Sequence, residues 1–127
     1  MEFYVVEAQD KPGFLCHHFK DPLFDQKVFK AAEQFLKGYS GGYWEYVQSD
    51  NDAPFLRIKG RTEAVLIHPV TDENFLIDNN LAGLIVTYCA VSGMPGFGKT
   101  LFLIKEAIAN YCIETDRGDV LQALVDY

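Results

Sequence analysis

The chain has 127 residues, 49% of them apolar and 23% charged, with a formal net charge of −7. That length is one domain with one real core, and the composition is globular, not that of a disordered chain. The charge is uneven. Residues 1–61 hold nine acids and eight bases, whereas residues 62–127 hold nine acids and three bases, Lys99, Lys105 and Arg117. This argues against direct binding to a nucleic-acid backbone, which needs a Lys/Arg patch, and is compatible with a basic protein partner.

Phe3-Tyr4-Val5-Val6 is rich in strand formers, and Lys11-Pro12-Gly13 ends it with turn chemistry. Phe14-Leu15-Cys16-His17-His18-Phe19 is a short aromatic run that reads as a strand or an irregular core segment. Asp21-Pro22 predicts a helix start, with Asp as cap and Pro at the first helical position. Phe24, Val28, Ala31, Ala32, Phe35 and Leu36 then keep the 3.6-residue period, Asp25 falls on the polar face, and Gly38 is a left-handed stop.

Gly41-Gly42 opens a different alphabet. Tyr43 to Gln48 reads as a strand, Ser49-Asp50-Asn51-Asp52 as a turn, and Pro54 to Ile58 as the next strand. Thr62 to His68, stopped by Pro69, and Asn74 to Ile77 complete a meander pattern. Asp78, Asn79 and Asn80 can each cap a helix over Leu81 to Ser92 that is apolar on nearly every side and so predicted to be buried. Gly83 costs that helix stability unless another backbone approaches closely. Thr100 can cap a further helix to about Glu114, and Val120, Leu121, Leu124 and Val125 suggest a last short one. The expected fold is a single α+β domain over residues 1–127. It has an N-terminal helix, an antiparallel β-meander of three to four strands, and two to three C-terminal helices packed on the sheet.

Three widely spaced cysteines, Cys16, Cys89 and Cys112, suit reduced thiols. No basic start precedes an apolar segment at the N-terminus, so no signal peptide is expected. The nearly uncharged stretch Asn79 to Gly98 is too broken by Pro95 and its glycines to span a bilayer. A cytoplasmic protein is expected.

Gly93-Met94-Pro95-Gly96-Phe97-Gly98-Lys99-Thr100 matches the phosphate-loop pattern G-x-x-x-x-G-K-[ST]. In a genuine case Gly98 and its neighbours cradle phosphates, Lys99 meets the terminal phosphates and Thr100 binds magnesium. The context is against it: the preceding segment reads as a helix, and the 27 residues after Thr100 look helical throughout. The favoured reading is a Gly/Pro connection between two helices, with nucleotide binding by Gly98, Lys99 and Thr100 as the alternative. His17 and His18 would point to opposite sides of a strand, and no spaced second pair exists, so no metal or other cofactor is expected. Asp50 with Asp52, and Asp72 with Glu73, sit in turn clusters and read as solvated turn formers.

On a strand, Trp44 and Tyr46 share one face while Tyr43, Glu45 and Val47 share the other, so part of this aromatic set is core. The outer face could offer large amphipathic side chains to a protein partner. Tyr39-Ser40-Gly41-Gly42-Tyr43-Trp44-Glu45-Tyr46 resembles the Y-x-G-G-Y-W-x-[FY] stretch of the antirestriction protein family typified by ArdB and KlcA. Phe14-Leu15-Cys16-His17-His18-Phe19 is similar to that family's F-L-P-R-H-F segment, and Asn79 to Thr87 to its S-A-D-A-A-G-I-V-A helix start. Ser49-Asp50-Asn51-Asp52-Ala53-Pro54-Phe55-Leu56 departs from the family's S-N-G-G-F-Y-M turn and strand, and Gly93 to Lys99 departs from its usual connection. The resemblance implies a non-enzymatic protein of plasmids, phages or other mobile elements that relieves host type I restriction. Its partner would be the restriction-modification enzyme or a related defence protein, with no direct nucleic acid and no membrane. The residues expected to meet that partner are Tyr43, Trp44, Glu45 and Tyr46, with Asp50 and Asp52 of the turn. A mobile-element interaction module with another target is a further possibility.

Overall fold

The structure is a computed structural model and describes residues 1–68, 70–92 and 94–124; Pro69, Gly93 and Val125, named above, lie outside the described residues. Strand β1 (Phe3–Val5) leads through a short 3-10 turn at Ala8–Asp10 to helices α1 (Lys11–Phe19) and α2 (Asp25–Phe35). Strands β2 (Trp44–Ser49), β3 (Pro54–Ile58), β4 (Glu63–Ile67) and β5 (Asn74–Asp78) follow, and then α3 (Asn79–Ser92), α4 (Gly98–Glu114) and α5 (Gly118–Leu124). The α+β class is the expected one, and from α2 onward the elements follow the expected order. The strands form two antiparallel sheets, β1-β2-β3 and β4-β5, with Tyr46 opposite Leu56 in the first and Val65 opposite Leu76 in the second.

The aromatic run Phe14 to Phe19 is helical, neither strand nor irregular. Pro12 sits in the first turn of α1, where its missing N–H costs nothing, so Lys11-Pro12-Gly13 begins a helix there. Phe14, Leu15 and Phe19 turn inward, and the Phe19 ring stacks on Phe24 at 3.8 Å between centroids. The next helix starts three residues later than Asp21-Pro22 suggests. The Asp21 side chain accepts from the Leu23 amide at 2.9 Å and its carbonyl from Phe24 at 3.2 Å, so Asp21 shapes a turn ahead of α2. After α2, Leu36 bridges to Leu66 and the Lys37 amide donates to Val65 at 3.0 Å, which lays the exit of the helix along β4. Gly38 has φ +73°, the left-handed geometry expected of it.

Helix α3 is the centre of the molecule. Leu81, Leu84, Ile85 and Val86 are buried, as its all-round apolarity demands, and it packs against α2, α4 and β3. It lies along the outer edge of β3, where a third hairpin strand would otherwise sit. The Leu56 amide donates to Thr87 Oγ1 at 3.1 Å, and Asn79 Nδ2 donates to the Ile58 carbonyl at 2.7 Å. These side chains satisfy edge groups of β3, so the meander divides into two sheets at this helix. Asp78 caps α3 by accepting from the Leu81 amide at 2.9 Å.

Candidate functional site

Gly41 and Gly42 carry φ of +103° and +145°, values L side chains rarely adopt, and they swing the chain from the end of α2 into β2. The strand's alternation then sorts the aromatic cluster by face. Trp44 is 7% exposed, lies 5.4 Å from the Phe29 ring, and donates from Nε1 to the Tyr39 hydroxyl at 3.1 Å. Tyr46 is buried on the same face. Its hydroxyl donates to Asp25 Oδ2 at 2.9 Å, and Lys11 Nζ stands 4.9 Å from the ring centroid. Burial first, and then the bond to Asp25, push the Tyr46 phenol well above its usual range. Asp25 therefore faces inward, not outward with the polar face of α2, because it stands at the helix start beside β2. Its Oδ1 is buried and accepts no hydrogen bond among the described residues.

Tyr43 is the opposite case. It is 85% exposed, and its carbonyl accepts from the Lys59 amide at 2.8 Å, which holds the backbone while the ring stays in solvent. Its neighbour Glu45 pairs with Arg57 at 3.4 Å, and Arg57 also donates to the Asn80 side chain. Tyr43, Glu45, Val5, Val6, Ala8 and Lys11 line a cleft of about 520 Å³ at this end of β2. Val5 is exposed beside it.

Asp50 and Asp52 do not join them. They sit at the far end of β2, roughly 20 Å from Tyr43 along an extended strand. Asp50 exchanges hydrogen bonds with Glu2, its amide donating at 3.0 Å and its carboxylate accepting at 3.3 Å. Asp52 adopts φ +67° and accepts from Gln48 at 3.1 Å. Both are turn formers, as their cluster suggests. Asn51 between them donates to the Leu103 carbonyl at 3.2 Å, which pins the turn onto α4.

No protein-family model matches this chain, and no curated protein matches it. The likeness of the GGYW stretch therefore rests on the residues themselves.

Of the phosphate-loop spelling, Met94 to Phe97 connect α3 to α4, and Gly98, Lys99 and Thr100 belong to α4. Helix α3 occupies the place of the strand, so the strand–loop–helix cradle does not form. Gly98 begins α4, with Lys99 and Thr100 in its first turn. Thr100 does not cap: its hydroxyl donates to the His18 carbonyl at 3.1 Å and ties α4 to the end of α1. Because that end is helical, His17 and His18 do not diverge as they would on a strand; their rings lie 4.7 Å apart. Both line a second cleft of about 530 Å³ with Lys20, Asp52, Lys99 and Thr100. Burial, then the charge of His17, lower the affinity of His18 for its proton, and Asp52 acts against them. Lys20 carries no motif that marks it in the sequence.

Among the described residues no three His, Cys, Asp or Glu side chains converge on a metal-sized site. The Cys89 and Cys112 thiols are pushed up to about 11 by burial, which makes them poor nucleophiles at neutral pH. No helix among the described residues is long and apolar enough to cross a membrane.

Proposed function

We propose that this chain is a non-enzymatic anti-defence protein, encoded on a mobile element, that relieves host type I restriction by contact with the restriction-modification enzyme or a related defence protein. The observation that carries the reading is the contrast within Tyr43-Trp44. Trp44 is anchored at 7% exposure while Tyr43 beside it stands 85% exposed at the mouth of a cleft. A large amphipathic ring on a rigid strand end loses little freedom on binding, which is why such residues concentrate binding energy at protein interfaces. The resemblance of Tyr39 to Tyr46 to the antirestriction stretch supplies the class of partner. The second, more acidic half of the chain suits a basic partner surface.

Phage plating or plasmid transfer in a host with an active type I system, with and without the protein, tests the reading directly. Relief of restriction is expected, and unchanged restriction refutes the type I target. A pull-down from the same host then separates the cognate enzyme from another target of an interaction module. Nucleotide binding in the phosphate-loop manner is the weaker reading, because helix α3 stands where that mechanism needs a strand.

A further inference from the structure

We propose that the cleft between the end of α1 and the start of α4 binds the phosphate group of a small phosphorylated ligand. The cleft, about 530 Å³, has the size of a small-molecule site. Its walls bring His17, His18 and Lys20 from one side to Lys99 on the other. These residues are separated by about eighty positions in the chain, and only the tertiary fold assembles them. In a protein with net charge −7, this gathering of basic side chains runs against the overall composition.

Neither Lys20 nor Lys99 has an ion-pair partner among the described residues. The single carboxylate in the lining, Asp52, already accepts from Gln48. Two ammonium groups at the walls of a concave site focus positive potential into it, and a phosphate satisfies both while accepting N–H bonds from the imidazoles. Lysine suits this task because it acts as a point charge toward phosphate oxygens. The walls are held together by the Thr100–His18 hydrogen bond of 3.1 Å, which fixes the backbone from which Lys20 and Lys99 extend. Asn51 fixes the third side, since its bond to Leu103 holds the Asp52 turn against α4.

A compact ligand fits better than a polymer. The acidic remainder of the chain repels an extended phosphate backbone, whereas a small phosphorylated molecule meets only the cleft. The site differs from a phosphate loop: side chains from two helices make it, and no strand or enclosing loop is required. It stands independently of the restriction reading.

The test is an NMR titration of the full chain with inorganic pyrophosphate and, separately, with magnesium-free ATP, at ionic strength held constant with sodium chloride. Saturable shifts are expected at the His17 and His18 rings and at the Gly98, Lys99 and Thr100 amides. Lys20→Gln and Lys99→Gln should each weaken binding roughly tenfold, the usual scale for one charge-assisted contact. Lys105→Gln makes the same charge change on α4 outside the cleft lining and should leave affinity unchanged. Saturation by pyrophosphate alone assigns the site to inorganic phosphates; tighter binding of ATP assigns it to a nucleotide, and both support the proposal. Absence of saturable shifts with either probe up to about 10 mM overturns it, as that leaves no site even of millimolar strength. An equal loss in Lys105→Gln also overturns it, because the effect would then be one of net charge.

Discussion

Gly83 of α3 and Leu56 of β3 are in such close backbone contact that a Cβ added to the glycine would stand 2.5 Å from the Leu56 carbonyl oxygen and 2.8 Å from Arg57 Cβ. One helical turn on, Thr87 accepts a hydrogen bond from the amide of the same leucine. The central helix and the edge of the first sheet are thus fitted at backbone level. The glycine's cost to the helix, about 0.5–1 kcal/mol, is offset by that fit.

Gly83→Ala should therefore destabilise the protein by about 1–3 kcal/mol, despite alanine's higher helix propensity, because the helix must move off β3. Urea unfolding monitored by circular dichroism checks it. A stability gain would mean that α3 can shift without loss.

Thr87→Val keeps the shape of the side chain but leaves the Leu56 amide without its acceptor. Thr87 is wholly buried, so water does not replace the bond. A loss of about 1–3 kcal/mol is expected, the cost of an unsatisfied buried donor, and faster hydrogen exchange should appear at the Leu56 amide.

Tyr46 gives the stability a pH dependence at the alkaline end. Its folded phenol holds its proton more strongly than the ordinary value of 10.0 because it is buried and donates to Asp25. Below pH 10 both folded and unfolded chains keep the proton; above it the unfolded chain releases first, so stability falls as pH rises. Tyr46→Phe should flatten this fall in denaturant midpoints measured from pH 8 to 11, a window set around the ordinary tyrosine value of about 10.

Trp44 and Tyr43 should separate stability from function. Trp44→Ala removes a buried indole and should cost about 3–5 kcal/mol. Tyr43→Ala removes an exposed ring and should change stability by less than about 0.5 kcal/mol while abolishing relief of restriction. Thermal melts beside the plating assay give both readouts, and full activity in a folded Tyr43→Ala variant would remove this ring from the proposed contact.

Turn chemistry and periodicity are local quantities, and where they decide structure the sequence is legible. The Ser49–Asp52 turn, the boundaries of β3 and the presence of a last short helix around Val120 and Leu121 follow from them. The burial of α3 follows as well, because a helix without a polar stripe has no face to give to water. Even the close approach at Gly83 is foreshadowed, since only packing repays a glycine inside such a helix.

The rest depended on neighbours distant in sequence. Phe14 to Phe19 has no period long enough to identify it, and Phe24, Tyr46 and the α4 contact hold it as a helix. Asp25 belongs by pattern to the polar face, yet Tyr46 draws it inward. The strand pattern reads as one meander, but hydrogen bonds from Thr87 and Asn79 to the β3 edge divide it into two sheets. Sequence alone determined the α+β class, the element order from α2 onward and the buried helix, because those elements' own residues encode them. Only the tertiary structure decided that Lys99 faces Lys20 and the histidines across a cleft, because that juxtaposition depends on how α4 docks against α1.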